Sequence, residues 1–261
     1  MRRLARERSC DVVFADGGRA LRAALEGGAR VRELYVAPEL LLGEDDRPLI
    51  ADAESRGARV VEVVADAFES LSPKRRPDGL LALVERPPAA LARLPVPVDP
   101  FIVVAAGIER PGNLGTIVRS ACAAGADALL VADPCTDVFH RDVIRGSVGT
   151  IFRIPLAVTT AVRAIAWLRE RGIRIVATTP AGSTPHRAAT YEGGIAVVLG
   201  GERYGLSEAW LAAADERVAI PMRGPADSLN VAVAAGVILF EAAARRDGNA
   251  RTKFGGEEPG S

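Results

Sequence analysis

The chain has 261 residues, enough for one large domain or two smaller ones, since a typical domain is roughly 150 residues long. Apolar residues make up 49% and charged residues 25%, and 33 basic side chains balance 33 acidic ones. This excludes global disorder, a collagen-like or mucin-like chain, and a protein that coats nucleic acid by bulk charge, while leaving room for a local basic patch.

Arg2, Arg3, Arg6 and Arg8 run into Asp11 rather than into an apolar core and cleavage site, so no secretory signal is expected and the expected compartment is the cytoplasm. The longest apolar stretch, Val231 to Phe240, is about half of the ~20 residues that a membrane-crossing helix needs, so no membrane partner is expected. Cys10, Cys122 and Cys135 include no Cys-x-x-Cys pair, and they read as small apolar residues rather than as a disulfide framework or a zinc site.

Along residues 11 to 85, Val12–Ala15, Glu33–Ala37, Val60–Val64 and Leu80–Val84 read as strands. Helices are expected over Gly17–Glu26, whose Ala20, Leu21, Ala24 and Leu25 share one face, and over Pro48–Arg56. The small α/β unit assigned to residues 1–86 is long enough to fold alone. Pro87, Pro88, Pro95, Pro97 and Pro100 then fix φ and remove amide donors, which marks 87–100 as a linker.

Near-continuous apolar runs follow at Phe101–Ala106, Ala128–Val131, Ile173–Ala177, Ile195–Leu199 and Val218–Ile220, separated by helical patterns at Leu114–Ala124, Ala161–Arg171, Ser207–Ala214 and Leu229–Arg246. Strands buried on both faces between helices indicate a parallel sheet, so residues 101–247 read as a second α/β domain. Gly172 is a helix stop. The Gly-rich, charged residues 248–261 are expected to be a disordered tail.

Ligands of such sheets gather at the carboxyl ends of the strands. Three polar loops stand there. In Glu109–Arg119, Pro111 and Gly112 make a turn, Asn113 is placed to cap a helix, and Arg119 lies six residues on, about 240° around the helix. In Leu199–Ser207, Gly200 and Gly201 let a ligand approach the backbone, Glu202 follows, and Ser207 is a candidate helix cap. In Ile220–Asn230, Pro221, Gly224 and Pro225 force an irregular loop before Ser228 or Asn230 opens a long helix. No dinucleotide fingerprint or phosphate loop is present, which weakens the reading as an unrelated nucleotide-binding enzyme. His140 and His186 have no carboxylate or cysteine at ligand spacing, so both read as structural or surface residues and no metal is expected. Trp167 and Trp210 are expected in the core.

Taken in order, the three loops resemble the SpoU (TrmH-type) branch of the SPOUT superfamily of RNA ribose 2′-O-methyltransferases. Asn113, Gly115 and Arg119 fit the first motif; Gly200, Glu202, Gly205, Leu206 and Ser207 the second; Ile220–Met222, Gly224 and Ser228–Asn230 the third. Gly201 departs from a frequent Asn and Arg110 from a common Asp. The first 85 residues resemble the ribosomal-protein-like substrate-binding domain that many members carry.

The resemblance implies S-adenosylmethionine as methyl donor, a C-terminal trefoil knot, and a homodimer whose sites draw on both subunits. It implies a cofactor held by Leu199, Gly200, Gly201, Ile220, Pro221, Met222, Ser228, Leu229 and Thr178. Arg119 is implied to act on the 2′-hydroxyl, as base or as electrostatic stabiliser, with Asn113, Glu202, Ser228 and Asn230 orienting the groups around it. RNA contacts are expected from Arg119 and from Lys74, Arg75 and Arg76, the densest basic cluster, with the N-terminal arginines as a second candidate. The separate N-terminal domain favours 23S ribosomal RNA as substrate. The alternatives are a transfer RNA 2′-O-methyltransferase, or a non-catalytic RNA-binding or ribosome-assembly protein of the same fold.

Overall fold

The structure is a computed structural model, and it describes residues 11–72, 74 and 76–247. The N-terminal part runs β1 (Val12–Asp16), α1 (Gly18–Glu26), β2 (Val31–Val36), α2 (Asp46–Ser55), β3 (Arg59–Glu62), α3 (Ala65–Leu71) and β4 (Leu80–Glu85). Its sheet has the order β1-β4-β2-β3, with β4 antiparallel to both neighbours and β2 parallel to β3. Central β4 is buried from Leu80 to Val84, and α1 lays the expected Ala20, Leu21, Ala24 and Leu25 onto the sheet. Helix α3 was not expected, because Phe68 is its single buried residue and one anchor makes no periodicity.

The larger part runs β5 (Phe101–Ala106), α4 (Pro111–Ala123), β6 (Ala128–Ala132), α5 (Arg141–Gly146), β7 (Leu156–Thr159), α6 (Ala161–Glu170), β8 (Arg174–Thr178), β9 (Thr184–Pro185), β10 (Ile195–Gly200), α7 (Glu208–Ala213), β11 (Glu216–Ala219) and α8 (Val231–Asp247). The seven strands are ordered β7-β6-β5-β10-β8-β11-β9, and every pair is parallel. The five apolar runs form the interior of this sheet, while the short edge strands β7 and β9 carry too few apolar residues to stand out. Alternate residues of β5 and β10 serve two cores. Val103, Val197 and Leu199 pack with α4 and α8, and Ile102, Val104 and Val198 pack with Trp167 of α6 and Trp210 of α7.

The proline-rich segment is not a free tether. Leu94 is buried, the Val158 amide donates to the Ala89 carbonyl, and Ala90 bridges in parallel to Val158, so the segment lies along the sheet edge beside β7. Nor are the two sheets independent, since Ala20, Ala24 and Leu25 belong to one continuous apolar cluster with Phe139, Ile151 and Phe152. Cys122 is half-buried, whereas Cys135 is exposed and does not act as the small apolar residue expected. Cys10 and residues 248–261 lie outside the described residues. Among the described residues no helix is long and apolar enough to cross a membrane.

Candidate active site

Register places the functional loops side by side. Leu199 and Gly200 of β10 pair with Ala105 and Ala106 of β5, and the Thr178 hydroxyl at the end of β8 donates to the Val198 carbonyl at 2.8 Å. Beyond these strand ends opens a cavity of about 560 Å³. Of the residues expected to hold a cofactor, Thr178, Leu199, Gly200, Gly201, Ile220, Met222, Ser228 and Leu229 line it; Pro221 does not. Glu202 and Asn230 also line it.

The glycines are dictated by backbone proximity. A Cβ on Gly200 would stand 2.5 Å from the Gly205 carbonyl carbon, and one on Gly201 would overlap the Gly107 carbonyl oxygen. An asparagine at position 201 would force that contact apart.

Glu202 joins two of the motifs. Its Oε2 accepts from the Glu109 amide at 2.9 Å, and its Oε1 accepts from Asn113 Nδ2 at 2.6 Å and from the Arg110 amide at 3.3 Å. Burial alone would raise this carboxyl, but the Glu109, Asn113 and Arg110 donors outweigh it and hold the group below the ordinary glutamate range. Asn113 is therefore not the helix cap that its position suggests. Helix α4 starts two residues earlier, at Pro111, and Glu202, distant in sequence, satisfies main-chain donors at its entrance.

The third motif joins through Asn230, whose Nδ2 donates to Asn113 Oδ1 at 3.3 Å while its Oδ1 accepts from the Ala232 amide at 2.9 Å. Asn230 thus caps α8, which begins at Val231 rather than Leu229. Ser228 is not the cap; its hydroxyl donates to Asp227 Oδ1 at 2.9 Å. Ser207 stands at the start of α7 but makes no side-chain cap bond.

Arg119 lies apart from this hydrogen-bonded chain. Six residues along α4 place it about 9 Å from Asn113 in the axial direction. It is exposed, does not line the cavity, and makes no hydrogen bond or ion pair with any described residue.

Lys74 is engaged within its own domain: its Nζ lies 3.3 Å from Asp16 and 3.1 Å from Asp78, so it braces the loop instead of projecting freely. Arg76 is exposed. Arg75, Arg2, Arg3, Arg6 and Arg8 lie outside the described residues. His140 caps α5 by accepting from the Asp142 amide, and His186 is buried. Among the described residues no three His, Cys, Asp or Glu side chains form a metal-ligand cluster.

The cavity lining fits an adenosyl group. Leu206, Leu211, Val218 and Ile238 supply apolar walls for a flat ring. Residues 221–229 form neither helix nor strand, and among the described residues their main-chain N–H and C=O groups have no main-chain partner. Such groups are available to a polar ligand edge. Sequence reasoning passed over Arg203, Tyr204 and Asp227 and noted Arg110 only as a departure from the motif; all four also line the cavity. Arg203 and Tyr204 lie inside the second motif, where the glycines and Glu202 drew attention.

Comparison with known proteins supports the same grouping. Residues 100–240 match the model of the SpoU rRNA Methylase family, and residues 2–82 match an MRM3-like substrate binding domain. The chain is 33% identical to a 23S rRNA (uridine(2479)-2′-O)-methyltransferase of Streptomyces viridochromogenes, over 88% of this chain and 82% of that one. It is 32% identical to the 23S rRNA (guanosine-2′-O-)-methyltransferase RlmB of Pectobacterium atrosepticum, over 89% and 98%. The crystal structure of an AdoMet-bound rRNA methyltransferase from Sinorhizobium meliloti superposes with a TM-score of 0.82 at 28% identity, covering 97% of this chain and 92% of that one.

Proposed function

Since the chain belongs to the SpoU rRNA methylase family, we propose that it transfers a methyl group from S-adenosylmethionine to a ribose 2′-hydroxyl of ribosomal RNA, 23S RNA in preference to transfer RNA. The observation that carries this reading is the chain Glu202–Asn113–Asn230, which ties all three motifs together at the mouth of one cavity. The preference for 23S RNA rests on relatives matched across both parts of the chain, which carry that substrate in their names.

When bound, S-adenosylmethionine supplies an electrophilic methyl group on sulfur. The residues of this chain have to align the ribose hydroxyl with it, and positioning of this kind lowers barriers by up to about 7–11 kcal/mol in favourable systems. Main-chain groups around Leu199, Ile220 and Leu229, with Thr178 and Ser228 beside them, hold the cofactor. Glu202, Asn113 and Asn230 fix the starts of α4 and α8 relative to it. A guanidinium is a poor general base, so Arg119 stabilises the developing alkoxide and the neighbouring phosphate while the hydroxyl proton passes to solvent water.

The enzyme works as a homodimer. Helix α8 exposes Val233, Val237 and Phe240 on one face, and a second copy burying this stripe would bring the unpartnered Arg119 of one subunit to the cavity of the other. The return from β11 to α8, which packs on α4, forms the trefoil crossing. The N-terminal domain grips RNA, with Arg76 in contact with phosphates, and the enzyme operates in the cytoplasm.

The test is transfer of labelled methyl to total RNA from cells lacking the protein, resolved into ribosomal and transfer fractions, with Arg119→Ala and Arg119→Lys in parallel. Alkali-resistant label in the ribosomal fraction, lost with Arg119→Ala, is the expected result. Arg119→Lys should be slower by about 10²–10³-fold with an unchanged pH–rate shape. A changed shape would return Arg119 to the role of base, and label confined to transfer RNA would overturn the substrate.

A further inference from the structure

Tyr204 is the most exposed aromatic residue among those described, at 82%. It is not on a slack loop. Gly205 (φ +65°) donates its amide to the Gly201 carbonyl at 3.0 Å, Leu206 is buried behind the turn, and Glu202 is anchored by its three donors in front of it. The turn therefore holds a large flat ring in water, where it contributes nothing to the core.

The surroundings of the ring match the chemistry of a nucleobase. The Arg203 guanidinium lies 5.4 Å from the Tyr204 ring centroid and covers one side of it, and the exposure of Tyr204 leaves the rest of the ring to solvent. Both residues and the exposed Arg110 line the cavity mouth. Two carboxylates also line the mouth, Glu202, held by its three donors, and Asp227, which accepts from the Ser228 hydroxyl, and among the described residues neither forms an ion pair with Arg110 or Arg203. An aromatic face flanked by arginines that form no ion pair is the arrangement that binds unstacked RNA bases and their phosphates.

We infer that Tyr204, backed by Arg203, forms a stacking subsite for an RNA base at or next to the ribose presented to the cavity. This rests on the RNA-methyltransferase reading and adds the recognition element at its mouth. Every base has a π-face, so the subsite holds the nucleotide in place without reading its identity. The adenosyl group, by contrast, takes the enclosed apolar walls.

The test uses the full-length protein and ribosomal RNA from cells lacking it, and measures RNA affinity by filter binding alongside methyl transfer for Tyr204→Ala, Tyr204→Leu and Tyr204→Phe. Stacking predicts RNA affinity lowered about fivefold or more by Ala and by Leu but kept by Phe, with melting temperature unchanged. Affinity kept by Tyr204→Ala, alongside a wild type that methylates RNA, overturns the subsite and leaves the enzyme reading intact. RNA bound through Tyr204 with no methyl transfer by the wild type keeps the subsite and removes the enzyme reading. A Tyr204→Ala protein that changes from dimer to monomer in sedimentation assigns the ring to a second copy and overturns the proposal.

Discussion

At the scale of single residues, Glu202 organises the site although it is unsuited to proton transfer. Both its oxygens are occupied by donors, and those donors stabilise the charged form. A carboxyl held below its ordinary range adds stability above the unfolded-state value, about 4.3, and that contribution is lost as pH falls through the folded value. Glu202→Gln should therefore melt below the wild type at pH 7, with the gap closing as pH drops below about 4. A gap that is constant across pH in thermal melts would show that the charge is not what braces the loop.

At the scale of elements, helix crossings explain which residues must be small. A Cβ on Gly115 of α4 would stand 2.6 Å from the Val143 carbonyl oxygen and 2.9 Å from Gly146 Cα, both in α5. Main chain cannot yield as a flexible side chain does. Gly115→Ala is expected to cost about 1–3 kcal/mol in denaturant unfolding, and a variant as stable as the wild type would mean that the two helices separate freely. Helix α8 makes the opposite case, because nothing among the described residues covers Val233, Val237 and Phe240 on its outer face. If a second copy of the chain covers this face, Phe240→Arg, at a residue 52% exposed, should leave the monomer folded, turn a dimer into a monomer in sedimentation and remove methyl transfer. An intact dimer would move the interface elsewhere.

At the scale of the whole molecule, the two sheets are held in one arrangement. Gly27, following α1, packs so tightly on the Phe152 carbonyl that a Cβ there would overlap it, and Gly149 (φ +81°) meets the Ala20 backbone. Beside them Arg86 donates to Asp137 and lies 5.0 Å from the Phe139 ring centroid, and the Arg86 bonds are the main reason the Asp137 carboxyl falls below its ordinary range. If this docking aligns an RNA-gripping domain with the cavity, Gly27→Ala should weaken RNA binding while S-adenosylmethionine affinity, measured by calorimetry, stays unchanged. Equal RNA affinity would mean that the domains act as beads on a string.

The sequence by itself determined the two α/β units, the interior strands of the parallel sheet and the three polar loops at strand ends, because apolar runs and turn residues are local signals. Motif spacing was enough to identify the family and to point to part of the cavity lining, but Pro221 and Arg119 do not line the cavity, and Arg203, Tyr204 and Asp227 were not expected there. Only the tertiary structure decided what those residues touch. Asn113 has the sequence of a cap, yet its amide is held by Glu202 and Asn230, and α4 is capped from a strand end some ninety residues away. Lys74 has the sequence of a phosphate-binding cation, yet Asp16 and Asp78 claim it. The proline-rich segment has the sequence of a tether, yet it joins a sheet edge. Asp78 is only four residues from Lys74, but Asp16, Glu202, Asn230 and Val158 are all distant from the residues they hold, and pairing across such separations is set by strand register and helix packing, which no local pattern encodes.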